Sequence, residues 1–177
     1  MSLINKLLLP AGLACLFFTI NVQANDKAGS KDNTKEIENI EEVIEAFRIS
    51  LINKDKPLFI ELFYNDAVPW LGTVSDETMA NTPPPPPKED GRKRGKVNGG
   101  NYLSFIDWIV KTPKKIEEKF WDVKIINDED IASVHFKYSF HQDNKKTNWG
   151  DEAWHLVRTE KGWKIASVIY SINTKGI

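Results

Sequence analysis

The sequence predicts an α+β domain in which N-terminal helices pack on the concave face of a curved, mainly antiparallel sheet. Three observations carry this. Apolar residues recur at helical spacing up to Phe63 and again after Tyr102. Long extended segments rich in β-branched and aromatic residues follow from about Phe120 to the C-terminus. Short polar turn sequences separate those segments at hairpin distances.

Ile37, Ile40, Ile44, Phe47 and Leu51 fall at steps of three and four, so one face of a first helix is apolar, with Asn33 or Thr34 placed to cap its start. Asn53-Lys54-Asp55 breaks it. Asp55 can cap a second short helix carrying Leu58, Phe59, Leu62 and Phe63, after which Asp66-Ala67-Val68-Pro69-Trp70 opens an extended segment. Over residues 75–100 the apolar pattern vanishes. Five prolines at 83–87 precede Lys88-Glu89-Asp90-Gly91-Arg92-Lys93-Arg94, which reads as a solvated insertion or as a docking loop for a partner or anionic surface. Leu103, Phe105, Ile106, Ile109 and Val110, with Trp108, mark a third helix ending before Pro113.

The turns between the remaining segments set a register. With turns at Asp128-Glu129, Asn144-Lys145 and Glu160-Lys161-Gly162, one face collects Trp121, Val123 and Ile125, then Ala132, Val134, Phe136, Tyr138 and Phe140. The same face then takes Trp149, Asp151, Ala153, His155 and Val157, followed by Ile165, Ser167, Ile169 and Ser171. That face is expected under the helices. The opposite face is charged apart from an apolar group at Trp154, Leu156, Ala166, Val168 and Tyr170, so a homodimer through Trp154, Leu156, Val168 and Tyr170 is expected.

Residues 1–24 read as a secretory signal: Lys6, an apolar run too short to span a bilayer, and a Val22-Gln23-Ala24 cleavage site. The expected product is periplasmic or secreted, with a polar leader over 25–33, one domain over 34–177 and no stable membrane span. Leu13-Ala14-Cys15 offers lipoprotein processing as the alternative. Cys15 is the only cysteine, so cleavage after Ala24 leaves no thiol, disulfide or sulfur ligand. A net charge of −1 lacks the basic excess of a nucleic-acid surface.

Helices first, a strand led by Asp66-Ala67-Val68-Pro69-Trp70, and a meander closing on Gly162-Trp163-Lys164-Ile165-Ala166-Ser167-Val168-Ile169-Tyr170-Ser171 resemble the nuclear transport factor 2-like superfamily, nearer its SnoaL-like bacterial branches. The resemblance spans roughly residues 37–173. It implies a cystatin-like α+β fold with a conical cavity between sheet and helices, and frequent dimers through the opposite face. It leaves activity open, because the superfamily holds isomerases, dehydratases, cyclases, ligand binders and transport adaptors.

In the register above, the concave face carries Tyr138, Asp151, His155, Ser167 and Ser171 as its polar residues. A carboxylate, an imidazole and a phenol in an apolar cavity are a kit for proton transfer, so His155 and Asp151 are the catalytic candidates. Trp70, Trp108, Trp121, Tyr138 and Ser167 join them as expected ligand-binding residues. The plainer alternative is that His155 satisfies Ser167 and Tyr138 satisfies Asp151. No zinc or calcium motif, nucleophile elbow or phosphate loop is present, so no metal or cofactor is expected. His135 and His141 stand about 20 Å apart along one strand, beyond the reach of one ion. Three functions remain: a binder of a small apolar or aromatic molecule, an isomerase, dehydratase or cyclase, and a dimeric scaffold.

Overall fold

The protein is described by a computed structural model covering residues 29–82 and 95–177, with side chains of the first helix from residue 39 onward. The elements are α1 (Gly29–Asn53), α2 (Lys56–Glu61), β1 (Trp70–Val74), α3 (Asp76–Asn81), β2 (Val97–Gly99) and α4 (Tyr102–Lys111). Then come β3 (Ile116–Asn127), β4 (Ile131–Gln142), β5 (Lys145–Thr159) and β6 (Gly162–Ile172). The expected signal, residues 1–24, and the proline and basic run, residues 83–94, lie outside the described residues.

Local chemistry sets the helix starts. Asp55 accepts from Leu58 N–H at 3.0 Å, as expected, and Asn101 accepts from Leu103 and Ser104 N–H to open α4. Two boundaries differ from expectation. The helix α1 begins at Gly29 rather than near residue 34, taking in the end of the expected leader, because polar residues can extend a helix that later turns anchor. The segment 75–100 is not wholly irregular, for it holds α3, capped by Ser75 onto Thr78 N–H, and the short strand β2.

The strands form one sheet in the order β2-β1-β6-β5-β4-β3. All neighbours are antiparallel except β1 and β6, whose parallel pairing sets Trp70 opposite Val168. The apolar stripe of α1 crosses the concave side: Ile40, Phe47 and Leu51 are fully buried, with the Phe47 ring 5.0 Å from Phe59 and 4.9 Å from Trp154. Each such burial contributes about 1.5 to 3 kcal/mol before its ordering cost. No helix among the described residues is long and apolar enough to cross a membrane.

The register of β4 is as the sequence suggests, since Ala132, Val134, Phe136, Tyr138 and Phe140 all face the helices. That of β5 is not. The hairpin turns on Asp143-Asn144, both at positive φ, so Gln142 pairs with Lys145, and a bulge between Phe140 and His141 follows. Tyr138 therefore lies opposite Gly150, and the inward residues of β5 are Glu152, Trp154 and Leu156. A bulge between His155 and Leu156 keeps Ile165 inside while turning Val168 and Tyr170 the same way. In β3, a bulge at Asp122 (φ +56°) sends Trp121 outward, opposite Lys137 and 42 % exposed.

These slips correct the expected dimer surface. Trp154, Leu156 and Val168 are fully buried core residues, and Tyr170 packs against them. A one-residue shift exchanges every side chain of a strand between faces, and here it took the apolar group inside.

Candidate functional site

A cavity of about 240 Å³ opens between α4, β1 and the concave face of β3 to β6. Its walls are aromatic: Trp70 from β1, Phe105 and Trp108 from α4, Tyr138 and Phe140 from β4, and Tyr170 from β6. Ile172 adds an aliphatic patch, while Gln142 and Asn148 stand with the half-exposed Trp108 at the rim. Two glutamates, Glu118 and Glu152, form the polar part of the interior, each about 5 % exposed or less.

Strand alternation places both. Ile116, Glu118 and Phe120 point inward along β3, and Glu152, Trp154 and Leu156 do so along β5. Glu118 lies opposite Phe140 and Glu152 opposite Phe136, so the two carboxyls flank Tyr138 from either side of β4. Glycine makes space for this arrangement. At Gly150 a Cβ would come within 2.1 Å of Ser171 O, the carbonyl that accepts from the Tyr138 hydroxyl at 2.8 Å. At Gly72 a Cβ would sit 2.7 Å from the Tyr170 ring, which crosses it to reach the cavity.

Burial sets the electrostatics. Glu118 is held well above the usual carboxylate range by desolvation and then by repulsion from Glu152. Desolvation raises Glu152 to about 7, against the opposing pull of the Trp154 indole, whose Nε1–H donates to Oε1 at 2.5 Å. Tyr138 is pushed up by burial and by both glutamates, and Tyr170 chiefly by burial, so both stay neutral phenols. Among the described residues, no lysine, arginine or histidine lines the cavity. Among the described residues, no group of three or more His, Cys, Asp or Glu side chains is placed to hold a metal ion.

Of the residues named from sequence, Trp70, Trp108 and Tyr138 line this cavity and four do not. Trp121 points away from it on β3. His155 is exposed on the outer face, its Nδ1 2.8 Å from Ser167 Oγ, which matches the expected pairing but on the wrong side. Asp151 is also outside, ion-paired with Lys137 at 3.0 Å and near His135 at 3.9 Å. The carboxylates of the cavity are instead Glu118 and Glu152. Their signal was a glutamate in an inward stripe, Ile116-x-Glu118-x-Phe120 and Glu152-x-Trp154-x-Leu156, visible once the register is known.

Neither a protein-family model nor a curated protein matches the chain. Solved structures do. A nuclear transport factor 2-like protein with a cystatin-like fold from Novosphingobium aromaticivorans superposes with a TM-score of 0.59 at 12% identity, covering 85% of this chain and 89% of its own. A candidate dehydratase of the same fold family from Streptomyces avermitilis gives 0.58 at 17% identity, over 80% of this chain and 98% of its own. A nuclear transport factor 2-like protein of unknown function from Silicibacter pomeroyi gives 0.54 at 14% identity, over 80% and 98%. The chain thus has the nuclear transport factor 2-like, cystatin-like fold, with N-terminal helices over a curved, unclosed sheet.

Proposed function

We propose that this fold here serves as an exported pocket for a small, uncharged apolar or aromatic molecule carrying an oxygen function, on which Glu118 and Glu152 act by proton transfer. The reaction class is isomerisation or dehydration. One observation carries the reading: two buried carboxyls stand together inside an otherwise aromatic cavity that no cation among the described residues lines. Such a pair is costly as structure, because unpaired buried charge is strongly disfavoured, and useful as chemistry, because raised proton affinity suits an acid/base group near neutral pH. The aromatic walls supply flat contact area, and the rim amides Gln142 and Asn148 can meet a ligand oxygen. Export rests on the N-terminal sequence alone. The candidate dehydratase of similar fold agrees with the reaction class by analogy only.

Two probes test this. 2-Naphthol should quench Trp70 and Trp108 fluorescence on binding, while the anion 2-naphthoate should bind at least about tenfold more weakly, since a second negative charge is repelled in a dry cavity. 2-Tetralone, an enolisable ketone, should take up solvent deuterium beside its carbonyl, and Glu152→Gln should slow that exchange by about 100-fold. Equal affinity for naphthol and naphthoate, or exchange indifferent to Glu152, would overturn the proposal.

A further inference from the structure

We infer that Trp154 is the positioning residue of this pair: its immobile indole N–H makes Glu152 the carboxylate and leaves Glu118 as the carboxylic acid. The inference rests on the reading of the two glutamates as the reactive groups, but it assigns their roles without any ligand.

The hydrogen bond at Glu152 favours this order. An indole N–H donates and cannot accept, so the Glu152 oxygen facing it, 2.5 Å away, cannot carry the proton on that side. A charged acceptor strengthens such a bond, which favours the ionised form of Glu152. The donor cannot swing aside. The Trp154 ring is fully buried, 4.9 Å from Phe47 and edge-on to Phe136 at 5.0 Å, with Phe120 at 6.2 Å.

No donor among the described residues reaches Glu118, which has an apolar wall and a second carboxyl for company. As an acid it can turn its own hydrogen into the cavity. Among the described residues, the titratable groups facing the pair are Tyr138 from β4 and Tyr170 from β6, both neutral phenols, and α4 contributes Phe105 and Trp108.

The assignment gives the chemistry a direction across the sheet. Glu152, on the β5 side, takes a proton from the ligand and becomes an acid. Glu118, on the β3 side, releases its proton to the ligand oxygen and becomes a carboxylate. Charge balances throughout, because the pair carries one negative charge before and after, so the cavity never holds two anions. A proton passed back from Glu152 to Glu118 resets it.

Infrared spectroscopy of the ligand-free protein in heavy water reads the proton directly, through the carbonyl stretch of a buried carboxylic acid. At pH 8, above the titration of Glu152, the band should be present in the wild type and in Glu152→Gln, and absent in Glu118→Gln. In Trp154→Phe, loss of the N–H should raise the proton affinity of Glu152 at least about tenfold, so that a second acid band persists to about one pH unit higher. A band lost in Glu152→Gln but kept in Glu118→Gln would overturn the assignment, and so would a Glu152 titration unmoved in Trp154→Phe. Should Trp154→Phe fail to fold, the two glutamine variants decide alone. The naphthol and tetralone experiments can fail while this one succeeds, so the two proposals fall separately.

Discussion

The two faces of β5 run along one stretch of chain and behave as different materials. Facing in, Glu152, Trp154 and Leu156 are nearly or fully buried, and the carboxyl among them is pushed up to about 7. Facing out, Asp151 lies half in water with Lys137 at 3.0 Å, and His155 rests against Ser167. One residue type, a carboxylate, thus has two chemistries at adjacent positions. The face decides, and the turn that sets the face is the determinant.

The largest effect that can test this contrast comes from two neighbours. Trp154→Ala should cost about 3 to 5 kcal/mol, because it empties the space between Phe47 and Phe136 and strands the Glu152 carboxyl. His155→Ala, one residue on, should cost about 0.5 kcal/mol or less as an exposed change. Urea melts of both check it, and comparable losses would break the assignment of faces.

A smaller effect concerns pH. Both inner glutamates bind protons more tightly folded than unfolded, so the stability they contribute is complete below the ordinary carboxylate value of 4.5. It is lost as pH rises, through about 7 for Glu152, with Glu118 shifted in the same direction by desolvation and by Glu152. Melting temperature should therefore fall between pH 5 and pH 8, with a few kcal/mol at stake. Glu118→Gln, which mimics the protonated acid, should flatten that fall and melt above the wild type at pH 8. A wild type most stable at pH 8 would contradict the electrostatics of the cavity.

The smallest effect is outside. Asp151→Asn should change stability by about 0 to 1 kcal/mol, and the difference should shrink in high salt, because its ion pair with Lys137 is solvated and screened. Melts at low and high ionic strength measure it.

What the sequence revealed and what it hid divide along the same line. Helix spacing around Ile40, Phe47 and Leu51, the cap at Asp55 and the inward stripe of β4 were legible, because each depends on residues close together. The faces of β5 and β6 depend on a count carried through turns and bulges, where an error of one reverses everything beyond it. The Asp143-Asn144 turn needs positive φ at both residues, a conformation these two side chains tolerate well, so that signal was present. The bulges at Asp122, at His141 and beside Leu156 left no comparable mark. For that reason Trp70 and Tyr138 were placed in the cavity from sequence, whereas Glu118 and Glu152 were overlooked.

The parallel seam between β1 and β6 has a meaning in time as well as space. Trp70 docks against Val168, a residue roughly a hundred positions later, and Phe63 bridges Ile165 in the same region. Contacts so distant along the chain demand a large loop closure before they return any stabilisation, which slows folding. A ribosome delivers β6 after the other described strands, so until then the strand bearing Trp70 can pair with β2 alone. Only β6, which lies between β1 and β5, joins the wall bearing Trp70 to the strand bearing Glu152.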